Sequence, residues 1–165
     1  MNSRRAFVGN MTRLAGGLAI SSRIVGANDR IRLGMIGPGV RGIQLLQAMK
    51  EPGAEFVAFA DAYTARLDVV KGLAPGAKTY LDYRYLLDDK NVDAVIIATP
   101  QHLHAEHFVA ALAAGKHVYQ EKTMAFTVEH AKRMRAAHLK APKLTVQIGH
   151  QDCSSGQVED AREFV

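Results

Sequence analysis

From residue 30 onward the chain switches repeatedly between two hydrophobic periods. Ile31 to Ile36 is a nearly continuous apolar run, the pattern of a strand buried on both faces. A glycine cluster follows. Val40, Ile43, Leu46 and Met49 then recur at helical spacing until Pro52-Gly53 ends the segment. Phe56 to Ala60 predicts a second strand, and Tyr63 to Leu73 a helix closed by Pro75-Gly76. Residues 77–80 predict a short strand and Tyr83 to Leu87 a short helix.

Asp93 to Thr99 is the clearest strand in the chain. After it, Ala105, Phe108, Val109 and Leu112 form an amphipathic helical stripe, with Gly115 as a natural stop. His117 to Gln120 predicts the next strand. Thr127 is placed to cap a helix bearing Val128, Ala131, Met134 and Leu139, with Glu129 in its first turn. Leu144 to Ile148 predicts a sixth strand. Strands alternating with helices predict the α/β class: a doubly wound parallel sheet in three layers, α/β/α. This domain is expected over residues 30–150.

The two ends read differently. Ser3-Arg4-Arg5-Ala6-Phe7-Val8 resembles a twin-arginine export consensus, and Val25-Gly26-Ala27 offers small residues for cleavage. Residues 1–27 are therefore expected to be a signal peptide and the protein periplasmic. The alternative is a disordered basic arm on a cytoplasmic protein. The apolar run Leu14 to Ile20 is too short to span a membrane, so no membrane role beyond export is expected. At the other end, Val158, Ala161 and Val165 begin a helix within residues 151–165, and no stop signal follows. That segment is expected to lead toward a second α/β substrate domain absent from this chain.

Charge changes the picture once it is located. Of the net +5, four charges come from Arg4, Arg5, Arg13 and Arg23, in a stretch with no acid, which leaves +1 for the remainder. A near-neutral body argues against nucleic acid as a partner. Cys153 is the single cysteine, so the fold uses no internal disulfide. With no base in view it reads as an inert thiol.

Candidate chemistry begins at Gly37-Pro38-Gly39-Val40-Arg41-Gly42, a G-x-G-x-x-G that follows a strand and opens a helix. In that context Gly37 permits the tight turn, Gly39 lets backbone approach a pyrophosphate, and Gly42 lets helix and strand pack closely. The helix N-terminus then faces the phosphates. Asp61, at the end of the second strand, is placed to accept hydrogen bonds from ribose hydroxyls. It would repel a 2′-phosphate, so NAD is favoured over NADP as the cofactor. Arg66 softens that preference if it reaches the same place. Together these predict a Rossmann dinucleotide-binding domain.

Two further segments carry a resemblance: Ala98-Thr99-Pro100-Gln101-His102-Leu103-His104, and Ala114-Gly115-Lys116-His117-Val118-Tyr119-Gln120-Glu121-Lys122. Over residues 30–165 the chain resembles the N-terminal domain of the Gfo/Idh/MocA oxidoreductases. The resemblance implies that Thr99, Pro100 and His104 line the cofactor, that Glu121 sits near the nicotinamide, and that Lys122 is catalytic. A lysine there orients a substrate hydroxyl and relays its proton while hydride leaves for the nicotinamide. The family's proline after this lysine is Thr123 here.

The implied function is the nucleotide-binding part of an oxidoreductase of sugar-like or cyclitol alcohols, with a small sugar-like molecule as substrate and a homo-oligomer allowed. Two alternatives stay open: part of an NAD-dependent glycosidase, and a nucleotide-binding module without catalysis. By itself this chain is expected to bind cofactor with little turnover. His102, His104 and His107 invite a zinc reading, but no carboxylate or thiol set completes it, so no metal is expected.

Overall fold

Six parallel strands and five helices alternate along the chain in the computed structural model, which describes residues 30–49 and 53–150. The strands are β1 (Ile31–Ile36), β2 (Ala54–Ala60), β3 (Lys78–Tyr80), β4 (Ala94–Ile97), β5 (His117–Glu121) and β6 (Val146–Gly149). The helices are α1 (Val40–Ala48), α2 (Thr64–Leu73), α3 (Tyr83–Asp88), α4 (His104–Ala113) and α5 (Val128–Lys140). A 3-10 turn, Gln101–Leu103, leads into α4. The readings of residues 1–27 and 151–165 lie outside the described residues.

The sheet order is β3-β2-β1-β4-β5-β6, that of a doubly wound dinucleotide-binding sheet. Its faces follow from side-chain alternation along each strand. Leu33 and Met35 of β1, Phe59 of β2, and Ala94 and Ile96 of β4 point to one side, where Leu45 of α1 and Leu67 and Val70 of α2 cover them. Ile36, Ala58, Ala60, Val95 and Ile97 point to the other, under α3, α4 and Met134 of α5. Strand β4 is buried along its whole length, as its unbroken apolar run requires.

Helix ends match their residues. Thr127 caps α5 by accepting from the His130 N–H at 3.1 Å. Gly115 follows α4 at φ +75°, the left-handed conformation that a helix stop favours.

Two predicted stripes need correction. Val40 is 80% exposed, and the buried face of α1 runs through Gly42 and Leu45. A Cβ on Gly42 would stand 2.9 Å from Met35 Sδ of β1, so Gly42 faces the sheet and Val40, two residues earlier, faces away from it. In α5, Val128 and Leu139 are exposed and Met134 is buried, with Ala137 packed beside it. That helix contacts the rest of the domain mainly through α4, so only a narrow strip is covered.

Candidate active site

The sheet reverses its winding between β1 and β4. Beyond β1 the chain turns into α1 on one face, and beyond β4 it turns into α4 on the other. Open α/β sheets form a ligand crevice at this point, past the strand ends. A cleft of about 520 Å³ lies here, lined by Gly37, Asp61, Arg66, Tyr83, Thr99 and His107 among others.

The glycine loop forms one wall. Gly37 has φ +85°, and a Cβ on it would stand 2.6 Å from Thr99 Cγ2. A side chain is therefore excluded by conformation and by space. The Gly37 N–H donates to the Ala60 carbonyl at 2.9 Å, and the Gly39 N–H to the Gly37 carbonyl at 2.8 Å. A Cβ on Gly42 would lie 2.7 Å from the Gly37 carbonyl oxygen and 2.9 Å from Met35 Sδ, so only glycine lets α1 sit this close to β1. Gly39 differs from both. A Cβ there would meet only the Arg66 guanidinium, at 3.9 Å, so open space faces the start of α1. The first N–H groups of a helix have no partner within it, and Gly39 offers no side chain to accept them. Open space in front of such donors fits a pyrophosphate.

Asp61 follows β2 directly. Its backbone N–H donates to Tyr80 O at 3.1 Å, and its Oδ1 accepts from the Tyr63 N–H at 2.8 Å. Arg66 reaches back from the first turn of α2 to within 3.2 Å of Oδ2. The carboxylate is held in place beside the glycine loop, as ribose recognition requires.

The opposite wall comes from the β4–α4 loop and from α3. Thr99 and Pro100 both line the cleft. Thr99 Oγ1 lies 3.1 Å from His107 Nδ1, and the His107 ring meets the Tyr83 ring edge-on at 4.4 Å between centroids. Burial pushes His107 down to about 4. Its ring is therefore neutral in neutral solution and bonds Thr99 as an uncharged group. The Tyr83 hydroxyl donates to Glu106 at 2.9 Å; burial is the first cause of its raised pKa, and that carboxylate the next.

His104 is placed behind this wall. Only 1% of it is exposed, and its ring nitrogens lie 2.8 Å from the Thr99 and Thr123 carbonyl oxygens. It thus ties the loop after β4 to the loop after β5. Gln120, fully buried, adds a second tie by donating to the Met124 carbonyl at 2.7 Å. Between these anchors stands Lys122, exposed, with a cis peptide to Thr123. The segment that lacks the family's proline is held by two buried side chains.

Glu121 closes the picture. Its side chain is 6% exposed and pairs with Arg41 of the glycine loop at 2.9 Å, with the Tyr119 hydroxyl donating to it at 3.3 Å. That carboxylate raises the Arg41 guanidinium further above its ordinary value. The end of β5 and the start of α1 are thereby joined by an ion pair whose carboxylate is buried and whose guanidinium is partly exposed.

Most of the residues read from the sequence converge on this end of the sheet. His104 supports the wall from behind, whereas His107, one helical turn later, faces the cleft. Tyr83 and Arg84 also line the cleft, although no motif in the sequence marks them. Their place depends on α3 packing against α4, which no local spacing reveals.

Comparison with known proteins agrees with this geometry. The Gfo/Idh/MocA model, “Oxidoreductase family, NAD-binding Rossmann fold”, matches residues 31–150. The chain is 37% identical over 122 residues to inositol 2-dehydrogenase of Salmonella typhimurium, covering 72% of this chain and 36% of that protein. It is 32% identical over 136 residues to 1-carboxy-3-chloro-3,4-dihydroxycyclo hexa-1,5-diene dehydrogenase of Comamonas testosteroni, covering 82% and 34%. Among solved structures, scyllo-inositol dehydrogenase from Lactobacillus casei with bound NAD(H) and scyllo-inositol matches with a TM-score of 0.77. The identity is 25%, over 82% of this chain and 40% of that one. The chain thus spans between 34% and 40% of the length of these relatives. By the match over residues 31–150 and the fold that carries it, the chain belongs to the Gfo/Idh/MocA oxidoreductase family and is its NAD-binding Rossmann domain.

Proposed function

We propose that this chain supplies the NAD site of a dehydrogenase acting on secondary alcohols of cyclitols or related sugars. The observation that carries the reading is the open space over Gly39 beside the anchored Asp61 carboxylate. In this reading the loop from Gly37 to Gly42 holds the pyrophosphate through backbone N–H groups. Asp61 accepts from the adenosine ribose. Thr99 and Pro100 form the wall that follows β4, and Glu121 lies toward the nicotinamide end. The bound nicotinamide supplies the hydride acceptor. Lys122, exposed at the end of β5, orients the substrate hydroxyl and takes part in removing its proton. The relatives named as inositol dehydrogenases support the substrate class.

Calorimetric titration of the chain with NAD and NADP, beside Asp61→Ala, tests the cofactor site. NAD is expected to bind more tightly than NADP, and the variant to lose that preference. A preference unchanged in the variant contradicts the role of Asp61. For the substrate, NADH is expected to form when the protein carrying this chain meets NAD and an inositol or a hexose. NADH formed only from a chemically different alcohol contradicts that class.

The arginine pair at 4 and 5 supports export by the twin-arginine route, which carries folded proteins and so suits a domain loaded with cofactor beforehand. A reporter fused to residues 1–27 is expected to leave the cytoplasm, and the double change Arg4→Lys with Arg5→Lys to retain it. Equal export of both fusions contradicts this assignment.

A further inference from the structure

Arg66 points out of its helix toward the glycine loop. It lies in the first turn of α2, yet its Nη1 is 3.2 Å from Asp61 Oδ2. The two partners are unequally seated. The Asp61 side chain is 7% exposed and receives a backbone N–H, whereas the Arg66 side chain is 49% exposed. The same guanidinium lies 5.9 Å from the Tyr63 ring centroid and is the nearest group to the space over Gly39. One half-exposed cation therefore stands between the Asp61 carboxylate and the glycine loop.

We propose that Arg66 sets how strongly this site discriminates between NAD and NADP, by supplying the charge that lets a 2′-phosphate approach Asp61. The inference rests on the NAD-site reading above. A 2′-hydroxyl donates to a carboxylate, whereas a 2′-phosphate meets it as a like charge. Arg66 offsets that repulsion, because its guanidinium is always charged and presents planar donors suited to phosphate oxygens. The other cation of the cleft, Arg84, is committed to Asp82 through three contacts from Nε and Nη2. The Arg66 guanidinium is the exposed half of the pair, so it can turn from the carboxylate to a phosphate without leaving solvent. With NAD, the ribose hydroxyls take over Asp61 and Arg66 turns toward solvent or the Tyr63 ring.

The test is a calorimetric titration of the whole chain, unaltered and as Arg66→Met and Arg66→Lys, with NAD and with NADP. Thermal melts establish that the variants fold, as an exposed position allows. The unaltered chain is expected to prefer NAD by less than about tenfold. Arg66→Met is expected to weaken NADP by about tenfold while NAD stays within about threefold. Arg66→Lys, which keeps the charge but not the planar fork, falls between. Two results overturn the inference alone: NAD binding with NADP affinity unchanged in Arg66→Met, or equal losses of both cofactors, which would place Arg66 on the shared pyrophosphate. Failure of the unaltered chain to bind either cofactor overturns this inference together with the reading it rests on.

Discussion

His107 shows how one buried side chain couples the cleft to solution conditions. Its ring is packed against Tyr83 and bonded to Thr99, and burial holds it down to about 4, against an ordinary value of 6.5. Between those values the unfolded chain takes up a proton that the folded chain refuses. Stability therefore falls as pH drops from 6.5 toward 4, by up to about 3 kcal/mol from this residue. Asp89 is held at about 2, chiefly by Lys78, and loses its contribution only below its own ordinary value of 3.8. The two windows are separate. Denaturant melts across pH are expected to show the steeper fall above pH 4 in the unaltered chain and a flatter profile in His107→Gln. Parallel profiles contradict the account of His107.

At the scale of elements, the sequence is informative wherever a local rule decides the outcome. The glycine loop with Asp61, the fully buried β4 and the Thr127 cap depend on neighbours within a few residues or on an unbroken apolar run. The loop geometry, the place of Asp61 after β2, the burial of β4 and the cap are all seen in the structure. Thr127→Ala is expected to lower stability by about 1 kcal/mol, measured by chemical denaturation, because the His130 N–H loses its acceptor. No change would mean that water replaces the cap. What the periodicity did not reveal depends on distant partners. Val40 and Val128 share a period with residues that pack inward at least in part, yet both are exposed, since the rotation of a helix is set by its contacts and not by its stripe alone. Likewise Tyr83 reaches the cleft only because α3 lies against α4, and Arg41 meets Glu121 only once β5 ends beside the start of α1. The histidines invited a metal reading because their spacing resembles ligand spacing. The His107 ring is bonded to the Thr99 hydroxyl, and the His104 ring to two backbone carbonyls.

For the whole molecule, one topological fact organises the rest. The chain winds one way from β1 and the other from β4, so the loops after both strands diverge and leave a cleft between them. Gly37 and Gly42, each required for a different reason, and the open space over Gly39 shape one side. His104 joins the loops after β4 and β5, and the Arg41–Glu121 ion pair joins the end of β5 to the start of α1. This arrangement matches residues 31–150 to a family of NAD-binding oxidoreductases, whose named relatives are two to three times longer.

Gly39 offers the most direct test of that account. Its φ of −76° suits any residue, and a side chain there would enter open space, so Gly39→Val leaves the fold intact while filling the approach to the α1 N–H groups. NAD should bind the unaltered chain in a calorimetric titration and fail to bind Gly39→Val, with the two melting alike. NAD binding equally well to both would contradict the placement of the cofactor at the glycine loop.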